Sequence, residues 1–366
     1  MLPLQPQGAF RLTLLHEIAT SGACSNRPYR ENLMSGAPLP PSTKRDERLD
    51  GYKGLLILFV VIGHAIEILR FPGTSLSVYL AIYAFHMPAF LLIAGALTRA
   101  RRPADELVET ARRLAPPYLF GVVGAALIRL AESGTLSVSF FPPPWTLWFL
   151  LTLATLRIAS SLIGANNVAL VVAILVGVLA SIVTLPAELS LGRSASLAIF
   201  FLIGVRLRAP RLLALVERIG ALGGVALALL GIALAGATLV AFDLPRSALH
   251  WREAMVVVTG DPLQAIVISF ALHLAALAAS LGLFACFIRL PRPSLLALLG
   301  RETLAIYLGH ALLLSALRPS LRTLDLTGAE VPVAITLLVA VVLLLPLIAQ
   351  RLLRRLGSRL HNTARA

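Results

Sequence analysis

The first long apolar segment of this chain contains a lysine and a histidine, Lys53 and His64, eleven residues apart. In an α-helix their side chains lie within about 20° of one face and about 16 Å apart along the axis. A lysine at the end of such a helix is ordinarily an anchor whose amine reaches water. An imidazole about ten residues inside is too deep for that role, and it suits a catalytic base or a proton carrier.

Two carboxylates accompany this pair, each three residues from the group it could orient. Asp50 precedes Lys53 and Glu67 follows His64. Residues three apart in a helix lie within about 60° of each other. We therefore predict a catalytic group of His64, Lys53 and Glu67.

Further ionisable residues lie within other apolar segments. His86 comes just before Pro88, which removes a backbone hydrogen bond and favours an opening of the helix; a kink with a hydrogen-bonded histidine is an equally good interpretation. Tyr307 and His310 lie on one helix face with Thr303, at i, i+4 and i+7. We predict His86, Tyr307 and His310 as substrate-binding residues, although His310 also suits a structural hydrogen bond between helices.

The elements that must position these residues follow from the composition. Of 366 residues, 58% are hydrophobic and only 14% are charged, with a mean hydropathy of +0.85, whereas a soluble domain carries about 25% charged residues. A water-soluble globule is excluded, and we predict an all-α, polytopic integral membrane helical bundle of about ten transmembrane helices. The predicted segments are 54–70, 76–97, 114–131, 145–163, 168–185, 195–207, 219–241, 262–288, 294–317 and 331–350.

The net charge of +14 is carried almost wholly by arginine, since Lys44 and Lys53 are the only lysines. The connections between the predicted segments alternate between the two sides of the membrane. Twenty Lys and Arg residues fall in the termini and in the connections on their side, and seven fall in the connections on the opposite side. The positive-inside rule therefore predicts that both termini are cytoplasmic. We find no nucleic-acid motif, and the two cysteines predict neither a disulfide framework nor a metal site.

Three regions are predicted along the chain. Residues 1–44 form a disordered cytoplasmic leader, with Met34 as an alternative start of translation; 45–350 form the membrane domain; and 351–366 form a basic cytoplasmic tail. The connection from 242 to 261 is predicted to lie outside, and its carboxylates and Trp251 suit a platform for sugar hydroxyls, although a tryptophan there is more often an interface anchor.

Five motifs occur in order along the chain. They are Lys53-x10-His64 with Asp50 upstream, Phe85-His86-Met87-Pro88, the stretch from Arg113 to Tyr118, Leu147-Trp148-Phe149-Leu150, and Thr303 to His310. Together they resemble the acyltransferase-3 family of bacterial membrane O-acyltransferases. Most of that family has arginine where this chain has Lys53, and lysine there is similar to the fucose 4-O-acetylase branch.

The resemblance implies transfer of an acetyl group from cytoplasmic acetyl-CoA to a sugar hydroxyl on a cell-envelope glycan or lipid-linked precursor, in the bacterial inner membrane. It implies that His64 is catalytic and Lys53 essential, and no metal is expected. The phosphates of CoA would meet Lys53, Arg112 and Arg113 at the inner face. A thioester has a good leaving group, so the protein chiefly needs a base or a nucleophile, and imidazole serves as either.

Two other functions remain open. The donor and acceptor could instead be succinyl-CoA and a periplasmic glucan. A proton-coupled secondary transporter would also place histidine and lysine inside spans, although we find no internal repeat at half length. Membrane lipid is an expected partner, nucleic acid is not, and the sequence does not predict the oligomeric state.

Overall fold

The computed structural model describes residues 46–69, 74–291, 294–324, 326 and 330–363. Within these residues the regular structure is helical, with no strand. The predicted leader, 1–44, and the alternative start at Met34 lie outside the described residues. The helices are α1 (Glu47–Leu69), α2 (Thr74–Tyr83), α3 (His86–Leu97), α4 (Pro103–Ser133), α5 (Trp148–Ile163), α6 (Asn167–Ile182), α7 (Leu191–Ala241), α8 (Met255–Thr259), α9 (Pro262–Phe287), α10 (Ser294–Arg301), α11 (Thr303–Leu321) and α12 (Glu330–Thr363), with a short 3₁₀ helix at Arg246–His250.

Seven helical segments of the described residues are long and apolar enough to cross a membrane, and α5 and α6 are shorter apolar helices. The 51-residue α7 has non-helical backbone at Arg208 and Gly220, so it holds two of the predicted segments. The ten predicted segments thus all lie mainly in helix, which confirms the all-α, polytopic membrane fold. The cytoplasmic location of both termini stays a prediction.

Two predicted spans are each interrupted once. A turn at Ala84–Phe85 separates α2 from α3, and Pro88 lies in the first turn of α3, where a missing N–H costs no helical hydrogen bond. Glu302 separates α10 from α11. The first interruption places His86 at the start of a helix, next to the end of α2.

The two spans that carry Lys53, His64, Glu67 and His86 are the most enclosed ones. Of the apolar window in each span, 56% is buried in α1 and 72% in the α2–α3 segment, whereas the other spans reach at most 44%. Outer helices expose large apolar side chains such as Phe120, Leu222 and Val240, as expected of surfaces that face lipid. The histidines of α1 and α3 therefore lie inside the bundle.

The N-terminal half of α1 packs against α10 backbone to backbone. A Cβ atom added at Gly54 would lie 1.9 Å from the carbonyl oxygen of Leu296, and one added at Gly300 would lie 1.6 Å from that of Asp50. Small residues permit such close approach between membrane helices. This contact holds the segment of α1 that carries Lys53.

We expect Gly54→Ala to lower the thermal stability of the protein in detergent, because the added methyl overlaps a backbone that cannot move aside. The expected loss is about 1–3 kcal/mol, the usual cost of overpacking a core. Gly236→Ala is the matched control, since a Cβ at Gly236 meets nothing within 4 Å. Equal melting temperatures for the two variants would contradict the close packing.

Candidate active site

One cavity of about 840 Å³ brings together most of the residues predicted from the sequence. It runs between α1, the α2–α3 junction, α4, α5, α7 and α11, and three connections between helices also line it. Of the predicted site residues, Arg112 is absent from the lining. The predicted residues that line the cavity are Lys53, His64, Glu67, His86, Arg113, Tyr307 and His310.

The centre of the cavity is a three-residue cluster of His64, Glu67 and Tyr83. Nδ1 of His64 lies 3.0 Å from Oε2 of Glu67 and 3.0 Å from the hydroxyl of Tyr83. Tyr83 donates its hydroxyl hydrogen to the same carboxylate oxygen at 2.9 Å. His64 and Glu67 are mostly enclosed, with 14% and 27% of their side chains exposed.

This arrangement selects the tautomer of His64. An ionised carboxylate only accepts hydrogen bonds, so the imidazole nitrogen next to Glu67 carries the hydrogen. The other nitrogen, Nε2, then keeps its lone pair in the neutral ring. A histidine held in this way by a carboxylate presents a base or nucleophile to its surroundings.

Two aromatic groups from distant parts of the chain pack against His64, Trp145 from the connection before α5 and His310 from α11. The ring of Trp145 lies 4.8 Å away in a T-shaped contact, and the ring of His310 is stacked at 5.5 Å. His310 is fully buried and its Nδ1 donates to the carbonyl of Ile306 at 3.1 Å. Its Nε2 is buried and has no hydrogen-bond partner among the described residues.

Tyr307 and His86 have partners in the protein. Tyr307 donates its hydroxyl to the carbonyl of Thr146, and the Thr146 hydroxyl has no partner among the described residues. His86 donates from Nδ1 to the carbonyl of Ile82 at 2.8 Å and meets Tyr83 edge-on at 4.8 Å. Both residues line the cavity and also form hydrogen bonds to backbone carbonyls. Their binding of substrate stays a prediction.

One end of the cavity, away from the His64 cluster, is lined by Lys53 and Arg113. Lys53 pairs with Asp50 at 2.7 Å across one helical turn, as the spacing predicted. Arg113 pairs with Glu109 on α4. Arg112 is exposed and lies outside the lining, because adjacent residues of a helix point about 100° apart.

A buried carboxylate that the sequence interpretation missed anchors α4 to α5. Glu106 is 1% exposed and accepts from Arg157 at 2.6 Å and from Thr110 at 3.2 Å. Arg101 approaches both Glu106, at 3.4 Å, and Glu109, at 3.9 Å. This network fixes the turn of α4 that presents Arg113.

The sequence interpretation also missed the tyrosine pair that joins the centre to the 242–261 connection. The rings of Tyr79 and Tyr83 stack at 4.0 Å, and the hydroxyl of Tyr79 lies 2.7 Å from Nε2 of His250. Burial, together with the cations Arg193 and Arg246, holds the pKa of His250 below its ordinary value, although Glu67 opposes this shift. The i, i+4 spacing places these two tyrosines on one helix face, but their partner His250 is distant in the chain, so the sequence did not show the link.

A partly buried arginine, Arg193, lines the cavity beyond these tyrosines. Its guanidinium lies 4.4 Å above the ring of Trp148, and its Nε donates to the carbonyl of His250 at 3.1 Å. The described residues contain no ion pair to it and no cluster of three potential metal ligands anywhere. The expectation of no metal stays a prediction.

Fold and site together define a multi-pass membrane protein with an enclosed histidine–carboxylate centre, which is the arrangement of an enzyme that performs acid–base or nucleophilic chemistry. The chain belongs to the acyltransferase-3 family: the family model, described as an acyltransferase domain, matches residues 46–351. The family resemblance of the five motifs is thereby confirmed.

Two curated relatives are similar to part of the chain, and both are nodulation proteins NolL. The protein of Mesorhizobium japonicum is 39% identical over 103 residues, 25% of this chain and 28% of the relative. The protein of Sinorhizobium fredii is 39% identical over 77 residues, 18% of this chain and 21% of the relative. The chain thus spans about a quarter of the length of either relative, and no solved structure gives a significant match.

Proposed function

We propose that the protein is an O-acyltransferase of the bacterial cytoplasmic membrane, which moves an acetyl group from cytoplasmic acetyl-CoA to a sugar hydroxyl of a cell-envelope or exported glycan. One observation carries the proposal: a single cavity joins the cation Lys53 to the oriented imidazole of His64. Family membership supports acyl transfer as the reaction class. Acetyl as the group and a glycan as the acceptor rest on the motif resemblance.

The Lys53 end of the cavity suits the donor. Lys53 and Arg113 both line it, and cations of these two types bind the phosphate oxygens that the CoA end of acetyl-CoA carries. The positive-inside rule places this end at the cytoplasm, where acetyl-CoA is made. His64 lies about 16 Å farther along α1, which is where a thioester extended from that mouth would react.

The cluster of His64, Glu67 and Tyr83 supplies the base that acyl transfer from a thioester to a hydroxyl requires. The hydroxyl oxygen of the sugar bonds to the carbonyl carbon, the carbon–sulfur bond breaks, and the hydroxyl proton passes to Nε2 of His64 and then to the leaving thiolate. Glu67 stabilises the imidazolium formed meanwhile. A route through acyl-histidine would need the same unprotonated nitrogen, so the geometry serves both routes.

The proposal is tested by mass spectrometry of surface glycans from cells with and without the gene. Acetyl transfer predicts a mass difference of about 42 Da and succinyl transfer one of about 100 Da, by ordinary ester chemistry. The wild-type gene should restore the difference and His64→Ala should not. Uptake of a solute into vesicles without consumption of acetyl-CoA would instead support a transporter.

Lys53→Ala is expected to raise the KM for acetyl-CoA by about tenfold or more, because a charge-assisted contact contributes about 1.5–3 kcal/mol. Lys53→Arg should retain more activity, since it keeps the charge. Arg206→Ala, which removes an exposed cation outside the lining, is the control. Equal loss in Lys53→Ala and Lys53→Arg would mean that the shape of the lysine, rather than its charge, is required.

A further inference from the structure

Arg193 and Arg252 are the cavity-lining cations that the proposed reaction leaves without a role. Arg252 lies 4.0 Å from the carboxylate of Glu253, so Arg193 is the one of the two that has no ion pair among the described residues. Its planar guanidinium has five N–H donors, and only Nε has a hydrogen-bond acceptor among the described residues, the carbonyl of His250. The terminal nitrogens lie on a residue that lines the cavity and have no protein partner in the part of the chain that the structure describes. They are therefore available to a ligand.

Arg193 lies on the side of the centre away from Lys53. It bonds to His250, which meets Tyr79, and Tyr79 stacks on Tyr83 beside His64. Trp251 and Arg252, the residues that follow His250 in the chain, also line the cavity.

The charges of the lining favour an anion at this position. Four cations line the cavity, Lys53, Arg113, Arg193 and Arg252, against one carboxylate, Glu67. Lys53 and Arg113 are each paired with a carboxylate outside the lining, whereas Arg193 is in no ion pair of the described residues. A low-dielectric cavity with an excess of one sign concentrates ligands of the other sign.

We propose that Arg193 is the anion-binding group of the acceptor subsite, and that the acceptor is a sugar with a carboxylate or phosphate near the hydroxyl that is acylated. This inference rests on the proposed function for its acceptor. The guanidinium fork, whose central carbon lies 4.4 Å from the centre of the Trp148 ring, matches either oxyanion in a bidentate manner. A neutral sugar offers this guanidinium no oxyanion, and sites built around a polar partner reject ligands that lack it.

The test uses intrinsic tryptophan fluorescence to detect binding. The protein has three tryptophans, and all of them line the cavity: Trp145, Trp148 and Trp251. Full-length protein in phosphatidylcholine nanodiscs is titrated with glucuronate, glucose 6-phosphate and glucose. We expect a saturable change of fluorescence with the two anionic sugars and none with glucose in the same concentration range. An equal response to glucose would overturn the proposal.

Arg193→Gln should weaken the response to the anionic sugars by about tenfold or more, as loss of a charge-assisted pair implies, and Arg193→Lys should weaken it less. Arg318→Gln is the matched control: Arg318 also stacks on a tryptophan, Trp145, at 4.8 Å, but lies outside the lining. An unchanged response in Arg193→Gln, or an equal loss in Arg318→Gln, would refute the assignment.

Two further experiments are needed. The first distinguishes an anionic sugar from a lipid headgroup as the ligand, and the second distinguishes this inference from the proposed function. Nanodiscs that contain phosphatidylglycerol should leave the sugar response intact; a lipid that reproduces and blocks it would make a headgroup the occupant and overturn an anionic sugar. His64→Ala should bind the anionic sugars normally while it loses transfer. If neutral and anionic acceptors are acylated equally well and Arg193→Gln has no effect, this inference is refuted and the proposed function stands. If anionic sugars bind in a manner that depends on Arg193 but no acyl transfer occurs, the proposed function is refuted and anion binding by Arg193 stands.

Discussion

Replacing His64 with alanine is expected to lower acyl transfer by about 10²- to 10⁴-fold, the range that a positioned general base supplies. The ring nitrogen opposite Glu67 is the group in the centre that can accept the hydroxyl proton or carry the acyl group. Alanine removes that nitrogen and leaves the donor-binding cations in place. The loss should therefore appear in kcat, with the KM for acetyl-CoA little changed.

His273→Gln is the matched control, because it also removes a histidine from within a span. His273 lies outside the lining, and its two ring nitrogens lie 2.6 Å and 2.7 Å from the backbone carbonyls of Ser269 and Ser196. Both variants are compared at equal amounts of folded protein by a thiol-release assay with acetyl-CoA. His64→Ala with more than about a tenth of wild-type kcat would refute the assigned role, since general-base catalysis alone is worth more.

The features of the site that follow from one helix could be predicted from the sequence. The spacing of Lys53 and His64 placed both on one face of α1, and the structure puts both on one cavity. Asp50 and Glu67 lie one turn from these groups and make the expected contacts, at 2.7 Å and 3.0 Å. Helical geometry alone determines such neighbours.

The contacts between helices could not be predicted in the same way. Tyr83 meets Glu67 across α1 and α2. Trp145 and His310 reach His64 from segments far along the sequence. Glu106 of α4 pairs with Arg157 of α5. The periodicity of either helix does not predict this pair, because the two residues are distant in the sequence.

The sequence predicts that Arg112 and Arg113 both bind the donor's phosphates. Consecutive residues of a helix point about 100° apart, so one cavity does not readily take both. The structure places Arg113 on the cavity and leaves Arg112 exposed outside it. Binding of phosphate by Arg112 would therefore have to occur outside this cavity.

Glu67→Gln is expected to lower kcat by about 10²- to 10⁴-fold, although the replacement is nearly isosteric, because it removes the group that selects the tautomer of His64. The glutamine amide can donate its own hydrogen to Nδ1. The imidazole hydrogen then moves to Nε2, and the cavity loses its base. Tyr83→Phe keeps the ring and the carboxylate, and it should cost much less.

A positioning role for Glu67 makes a further prediction that a purely structural role does not. In a His64→Ala background, Glu67→Gln should add almost no further loss, since residues that act as a unit are strongly non-additive. Glu67→Asp, which keeps the charge, should retain more activity than Glu67→Gln. Independent losses at the two positions, or equal loss in the aspartate and glutamine variants, would mean that the carboxylate stabilises the fold and that His64 acts without it.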